Sequence, residues 1–361
     1  MAGKDIINKI FASEYKSIGS KTLLKKRNCF PVFFNLYEMN RIFLLITNIV
    51  LKRGFLYMIE TIAKAGTLVS FIVCGYVLKQ LGLFSKESFN TISTIVFDLT
   101  LPSAIIVNLN GVHFESRLLF ISALAILFDL IFIGLGYVLG KNKVEKSFYM
   151  LNLNGFNIGN FALPFVSYFF DSAAVLIVCL FDAGNSIMCL GIAYGLACCV
   201  RGHADENIFH LLGRSVLSSV PILSYIVMIL LAVFSITLPS AFINWAAIPA
   251  SANTFLSMMM IGVALGVSLK KDFIHVIYTD IGVRFTGSAV MTAAIYFFLD
   301  YPMEIKRVLM ILLFSPIAGM ACYYTAKLKG NIGVAACINS LYILVSIVMM
   351  STLIIFLSHG I

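Results

Sequence analysis

Charge is scarce in this chain: Asp, Glu, Lys and Arg together make up 12% of its 361 residues. An ordinary soluble domain carries about 25%, so a conventional water-facing surface is excluded. Histidine is rarer still, with five residues at positions 113, 203, 210, 275 and 359. They fall in loops or at the ends of apolar stretches, and none pairs with an acid at ligand or catalytic spacing. That argues against an enzyme and against a metal site. No G-x-x-x-x-G-K-[ST] loop occurs, so no nucleotide cofactor is implied and ATP-driven work by this chain alone is not expected. The eight cysteines lie mostly inside apolar runs, without metal-ligand or disulfide-framework spacing, and read as small packing residues.

What the chain has in abundance is apolar surface, with 60% hydrophobic residues and a mean hydropathy of +0.97. The apolar runs are long rather than alternating segments of about ten residues, which indicates an all-α integral membrane protein, with the cell membrane as its expected location. The net charge of +9 is concentrated at one end. Residues 1–57 hold ten basic and three acidic side chains, against sixteen and fourteen in the remainder. The apolar piece Ile42–Leu51 is too short to span a bilayer. Residues 1–57 therefore read as a basic N-terminal extension: a surface-lying segment, a disordered arm, or sequence ahead of a true start at Met58. The last reading is favoured.

From Met58 the hydropathy resolves into ten spans, near 62–80, 89–109, 117–140, 147–169, 172–199, 214–236, 241–268, 273–298, 305–327 and 332–357. A charged loop at 201–213 divides them into two five-helix halves, 58–200 and 214–361. The halves echo one another, since Pro164 and Pro316 both fall in the fourth span of their half and both sit beside small residues. An odd number of helices per half forces the two copies into opposite orientation. Inverted repeats with matching broken helices are the sequence pointer to a secondary transporter. Eleven Lys and Arg lie in loops on one side, from Lys79 to Lys329, against Arg117, Lys306 and Arg307 on the other. The positive-inside rule then places the 201–213 loop in the cytoplasm.

The stretch at 147–169 combines apolar residues with Asn154, Asn157 and Asn160, with Gly155 and Gly159, and with Pro164. Pro164 lacks an N–H and would leave the Asn160 carbonyl without its helical partner, so half-helix N-termini are expected at 164 and 316. A broken helix survives in a membrane only when it is buried in protein or lines a cavity. Amides can hold a carboxylate without the cost of burying an ion, so Asn157, Asn154 and Asn160 are the substrate-contact candidates. Asp182, with Asn185 one turn away, is a candidate coupling group because an intramembrane carboxylate is costly. Asp98 and Asp129 are weaker candidates. Arg284 either meets a substrate carboxylate or neutralises an acid such as Asp280 at i−4.

Five motifs follow one another along these spans: GYVLKQLGLFS at 75–85, LPSAIIVNL at 101–109, Asn157-x-Gly159 with Pro164, FDAGN at 181–185, and SPIAGMACYYTAKLKGN at 315–331 leading into AACINSL at 335–341. With them the chain resembles the auxin efflux carrier family, and more closely its bacterial organic-acid permeases, from about Ile59 to the C-terminus. The resemblance implies ten helices in two inverted repeats, with broken helices 4 and 9 crossing at mid-membrane and an anion bound beside the crossing. It makes Asn157 the fourth-helix asparagine, and Pro164 and Pro316 the crossover prolines. The sequence departs at Ala162, where glycine is common, and at Asn160, where an apolar or aromatic residue is usual. The expected function is secondary transport of a small organic anion, a carboxylate, by alternating access, with a cation/proton antiporter of related architecture as the alternative. The expected partners are the anion, the lipid bilayer, protons as one option for coupling, and a second copy of the chain as an option for assembly. Nucleic acid is not among them.

Overall fold

The computed structural model describes residues 58–112, 118–202, 219–266 and 273–358. The extension at 1–57, most of the 201–213 loop, Arg117, Lys270 and Lys271 lie outside the described residues, as do all the histidines except His275. Among the described residues every regular element is helical. Hydrocarbon offers no partner for a free N–H or C=O, so the long apolar runs can bury themselves only by pairing their own backbone.

Among the described residues six helices are long and apolar enough to cross a bilayer: α1 Met58–Gln80, α2 Glu87–Leu109, α3 Leu119–Leu139, α8 Ser240–Ala264, α9 Ile274–Phe298 and α12 Ile332–Leu357. Between them lie shorter pieces. These are α4 Lys143–Asn152, α5 Ile158–Phe169, α7 Val220–Val233, α10 Met303–Leu312 and α11 Met320–Lys327. α6 runs from Ser172–Ile187 through a π turn at Met188–Ile192 into Ala193–Arg201. The chain is thus a multi-pass helical membrane protein. Large apolar side chains such as Phe298, 86% exposed, and Val138, 79% exposed, face outward where lipid tails replace water.

Helix ends are set by local chemistry. Ser85 caps α2 by accepting from Glu87 N and Ser88 N, while Ser88 returns a bond to the Ser85 backbone. Asn142 caps α4 through Val144 N and Glu145 N. Two prolines sit inside helices immediately after π turns: Val96–Thr100 precedes Pro102, and Ile158–Ala162 precedes Pro164. Widening the turn relieves the clash of the pyrrolidine ring with the preceding carbonyl, so both helices continue through their proline.

α3 packs on α4 and α6, α2 on α7 and α8, and α9 on α10 and α12. α1 and α8 meet through two glycines, because a Cβ built on Gly75 would lie 2.1 Å from Met259 O and one on Gly262 would lie 2.0 Å from Ile72 O. Small residues let membrane helices approach backbone to backbone, where dispersion forces substitute for the missing hydrophobic drive. Gly262→Val should therefore lower the unfolding free energy of the purified protein by about 1–3 kcal/mol, the usual cost of overpacking. Gly282→Ala, in α9 with no atom within 4 Å of the new methyl, should leave it unchanged. Equal stability of the two variants in a detergent unfolding titration would show that α1 and α8 are not pinned there.

Candidate functional site

α4 stops at Asn152 and α5 begins at Ile158, and the residues between them form a break in the protein interior. Gly155 carries φ +81°, a left-handed conformation that L side chains rarely adopt. Its missing side chain is also required sterically, since a Cβ there would lie 2.5 Å from Cys189 Sγ and 3.2 Å from Ala318 Cβ. Each backbone group freed at such a break needs a partner from elsewhere in the chain.

Those partners come from four elements. On α9, Arg284 donates from Nη1 to Leu153 O at 2.5 Å and from Nη2 to Gly155 O at 2.9 Å. On α3, Asp129 Oδ1 accepts from Gly155 N at 3.1 Å. On α6, Asn185 accepts from Phe156 N at 2.8 Å through Oδ1 and donates to Phe156 O at 2.9 Å through Nδ2. The fourth comes from the second break, between α10 and α11, where Pro316 O accepts from Asn157 N at 2.8 Å. The second break is held by hydroxyls: Ser288 Oγ donates to Leu313 O and Ser315 Oγ to Leu312 O, both at 2.6 Å.

α9 serves both breaks from one face. Asp280, Arg284 and Ser288 follow at four-residue intervals and are all buried. Tyr342 of α12 donates its hydroxyl to Asp280 Oδ1 at 3.0 Å. The Arg284 guanidinium carbon lies 4.1 Å from the centroids of both the Phe132 and Phe156 rings, so the cation is enclosed by two aromatic faces and two carbonyls. Asp129 Oδ2, Asp280 Oδ2 and Arg284 Nε are buried without a hydrogen-bond partner.

The residues singled out from sequence are distributed as follows. Asn154 is buried beside the first break with its Oδ1 unpartnered, and Asn160 Oδ1 is likewise buried and unpartnered in the π turn of α5. Asn157 is half-buried at the N-terminal boundary of α5. Gly159 faces α2 and α6, 3.1 Å from Leu101 Cδ2 and 3.6 Å from Asp182 Oδ2 when a Cβ is built on it. Asp182 Oδ1 accepts from Asn185 Nδ2 at 2.9 Å and from Ser186 Oγ at 3.3 Å.

One expectation needs correction. The first half-helix begins at Ile158 rather than at 164, because the π turn carries the helix through Pro164. The second begins at Met320, and Pro316 lies within the break itself. Arg284, expected either to meet a substrate carboxylate or to neutralise an acid such as Asp280, is engaged with the break's carbonyls and stacked between two rings. Sequence reasoning missed Ser288 and Tyr342. The polar stripe at 280, 284 and 288 in an otherwise apolar helix was the signal that could have found the serine.

Among the described residues two cavities adjoin α4 and α11. One of about 470 Å³ opens among the ends of α3, α4, α6, α9 and α11, lined by Lys141, Tyr149, Leu151, Arg201, His275 and Thr325 among others. Its volume suits a small molecule. Arg201 Nη2 also donates to Leu328 O at its rim. The other, about 10 Å³, has room for about one water and lies between the two breaks, walled by Asn154, Cys189, Ala318 and Tyr324. Leu151 lines both. Asn152 of α4 donates to Thr325 Oγ1 of α11 at 3.1 Å, and Tyr194 stacks on Tyr324 at 4.6 Å, closing the walls around the smaller one. Among the described residues no cluster of His, Cys, Asp or Glu could hold a metal ion. Compared with known proteins, the chain matches no family model and no curated protein.

Proposed function

We propose that the chain is a secondary transporter that moves a small organic anion by alternating access. In this reading the ten spans form two inverted five-helix repeats, with α4–α5 and α10–α11 as the broken, crossing spans of each. The order of elements supports it: on either side of residues 203–218, three helices are followed by a broken one and then by a further helix. The observation that carries the reading is the meeting of the two breaks at Asn157 N and Pro316 O, 2.8 Å apart, with the unpartnered amide oxygens of Asn154 and Asn160 nearby. Unwound backbone and half-helix ends at mid-membrane are how such carriers build an ion site. The larger cavity, reached past Lys141 and Arg201 and separated from the crossing by Leu151, would be the cytoplasmic approach.

The alternative, a cation/proton antiporter, rests on carboxylates at the crossing. Asp129 and Asp182 are there, but Asp129 holds Gly155 N and Asp182 is bonded to Asn185 and Ser186. These bonds favour a holding role for both acids and leave the half-buried amide of Asn157 to the substrate.

The deciding experiment is uptake into proteoliposomes across a panel of mono- and dicarboxylates, with and without a proton gradient. Asn157→Ala should reduce uptake of the accepted anion by tenfold or more, the effect of losing about 1.4 kcal/mol of binding, while its melting temperature stays unchanged. Normal uptake by Asn157→Ala would remove Asn157 from the site. Exchange of Na⁺ or H⁺ with no carboxylate uptake would select the antiporter.

A further inference from the structure

The Arg284 clamp carries an inference that does not depend on which solute is moved. α4 ends at Asn152 with Leu153 as its C-cap, so the partial negative charge of its C-terminal end falls at the break. In carriers with unwound helices, such carbonyls are what coordinates a coupling Na⁺. Here Leu153 O and Gly155 O both point at one side chain, Arg284, at 2.5 and 2.9 Å. Arg284 is 1% exposed, and the rings of Phe132 and Phe156 cover its guanidinium at 4.1 Å. Asp129 and Asp280 lie close enough to feel its charge, and among the described residues neither forms a direct ion pair with it. An arginine buried with two carbonyls rather than a carboxylate as its direct partners is unusual, because a buried charge is costly unless opposite charge or dipole surrounds it.

We propose that Arg284 is a built-in cation: its guanidinium occupies the place at the Leu153 and Gly155 carbonyls that a free inorganic cation would otherwise fill, and so makes the break independent of Na⁺ or K⁺. Arg284 is then a positioning residue. It fixes the crossing from α9 and removes one site at which transport could be coupled to a cation gradient.

The test uses the full chain purified in detergent and reads thermal stability, so it is independent of transport. The wild-type melting temperature should be the same in sodium, potassium or choline chloride. Arg284→Ala should melt at a lower temperature and recover at least half the loss on addition of ~10 mM methylguanidinium, far below denaturing concentrations, in a saturable manner. Choline should give no recovery. If Arg284→Ala does not fold, the pair Arg284→Lys and Arg284→Met decides. Lysine keeps the charge and methionine the volume, so the lysine variant should be the more stable of the two. Saturable stabilisation of the wild type by sodium alone, absence of recovery by methylguanidinium in a folded Arg284→Ala, or a methionine variant at least as stable as the lysine one would each overturn the proposal.

Discussion

Asn185→Leu should cost the protein about 1.5–4.5 kcal/mol of stability, a large share of the total. Its amide accepts from the N–H of Phe156 at 2.8 Å and donates to the Phe156 C=O at 2.9 Å, an oxygen that Ile158 N also reaches at 2.9 Å. Phe156 is 1% exposed, so neither group can turn to water when the amide is lost. The orphaned N–H costs ~1–3 kcal/mol and the lost bond to the carbonyl ~0.5–1.5 kcal/mol, against a total stability of ~5–15 kcal/mol. Ser186→Ala, which removes only the 3.3 Å bond to Asp182 Oδ1, is the control and should cost less than about 1.5 kcal/mol. Both variants can be measured by unfolding in mixed micelles. Equal stability of Asn185→Leu and the wild type would mean that Phe156 finds other partners and that the break is not held from α6.

Gly155→Ala is the second large effect, with an expected loss of about 2–5 kcal/mol. Roughly 1–2 kcal/mol comes from forcing an L side chain into the left-handed region at φ +81°. A further ~1–3 kcal/mol comes from overpacking, since the new methyl meets Cys189 Sγ at 2.5 Å and Ala318 Cβ at 3.2 Å. The two contributions separate in a double-mutant cycle. Cys189→Ala should relieve the clash but not the backbone strain, giving a favourable interaction energy of about 1 kcal/mol or more with Gly155→Ala. Additive effects would show that the sulfur yields without cost. Cys189 read from sequence as an apolar packing residue, and its Sγ is also within 3.2 Å of Asn185 Oδ1.

The apolar helices were legible because hydrophobic run length is a local property, and so was a break near 147–169 from its density of Asn, Gly and Pro. The position of that break was not. Proline is a strong breaker only in an α register, and the π turn at Ile158–Ala162 lets α5 pass through Pro164, so the opening falls at Gly155. The identities of the holding groups were harder still. Asn185 lies 29 residues from Phe156 and Arg284 lies 129 from Gly155, and no periodicity within α6 or α9 says which backbone each side chain will meet. Asn185 read as the neighbour of a coupling acid, and the structure gives it the backbone of the break to carry. Polar residues in an apolar helix announced that something had to be satisfied, and only the packing of α3, α6 and α9 around α4 determined what.

The contact between the two breaks runs from one main chain to the other, Asn157 N to Pro316 O. Residue 157 also sits at φ −79° and ψ 70°, backbone angles open to most residue types. The scaffold therefore asks nothing of the side chain at 157 except that it not be proline. If residue 157 meets the transported anion as proposed, substitutions there would change which solute is accepted without disturbing the junction, and position 157 would be the place to retarget the protein by design.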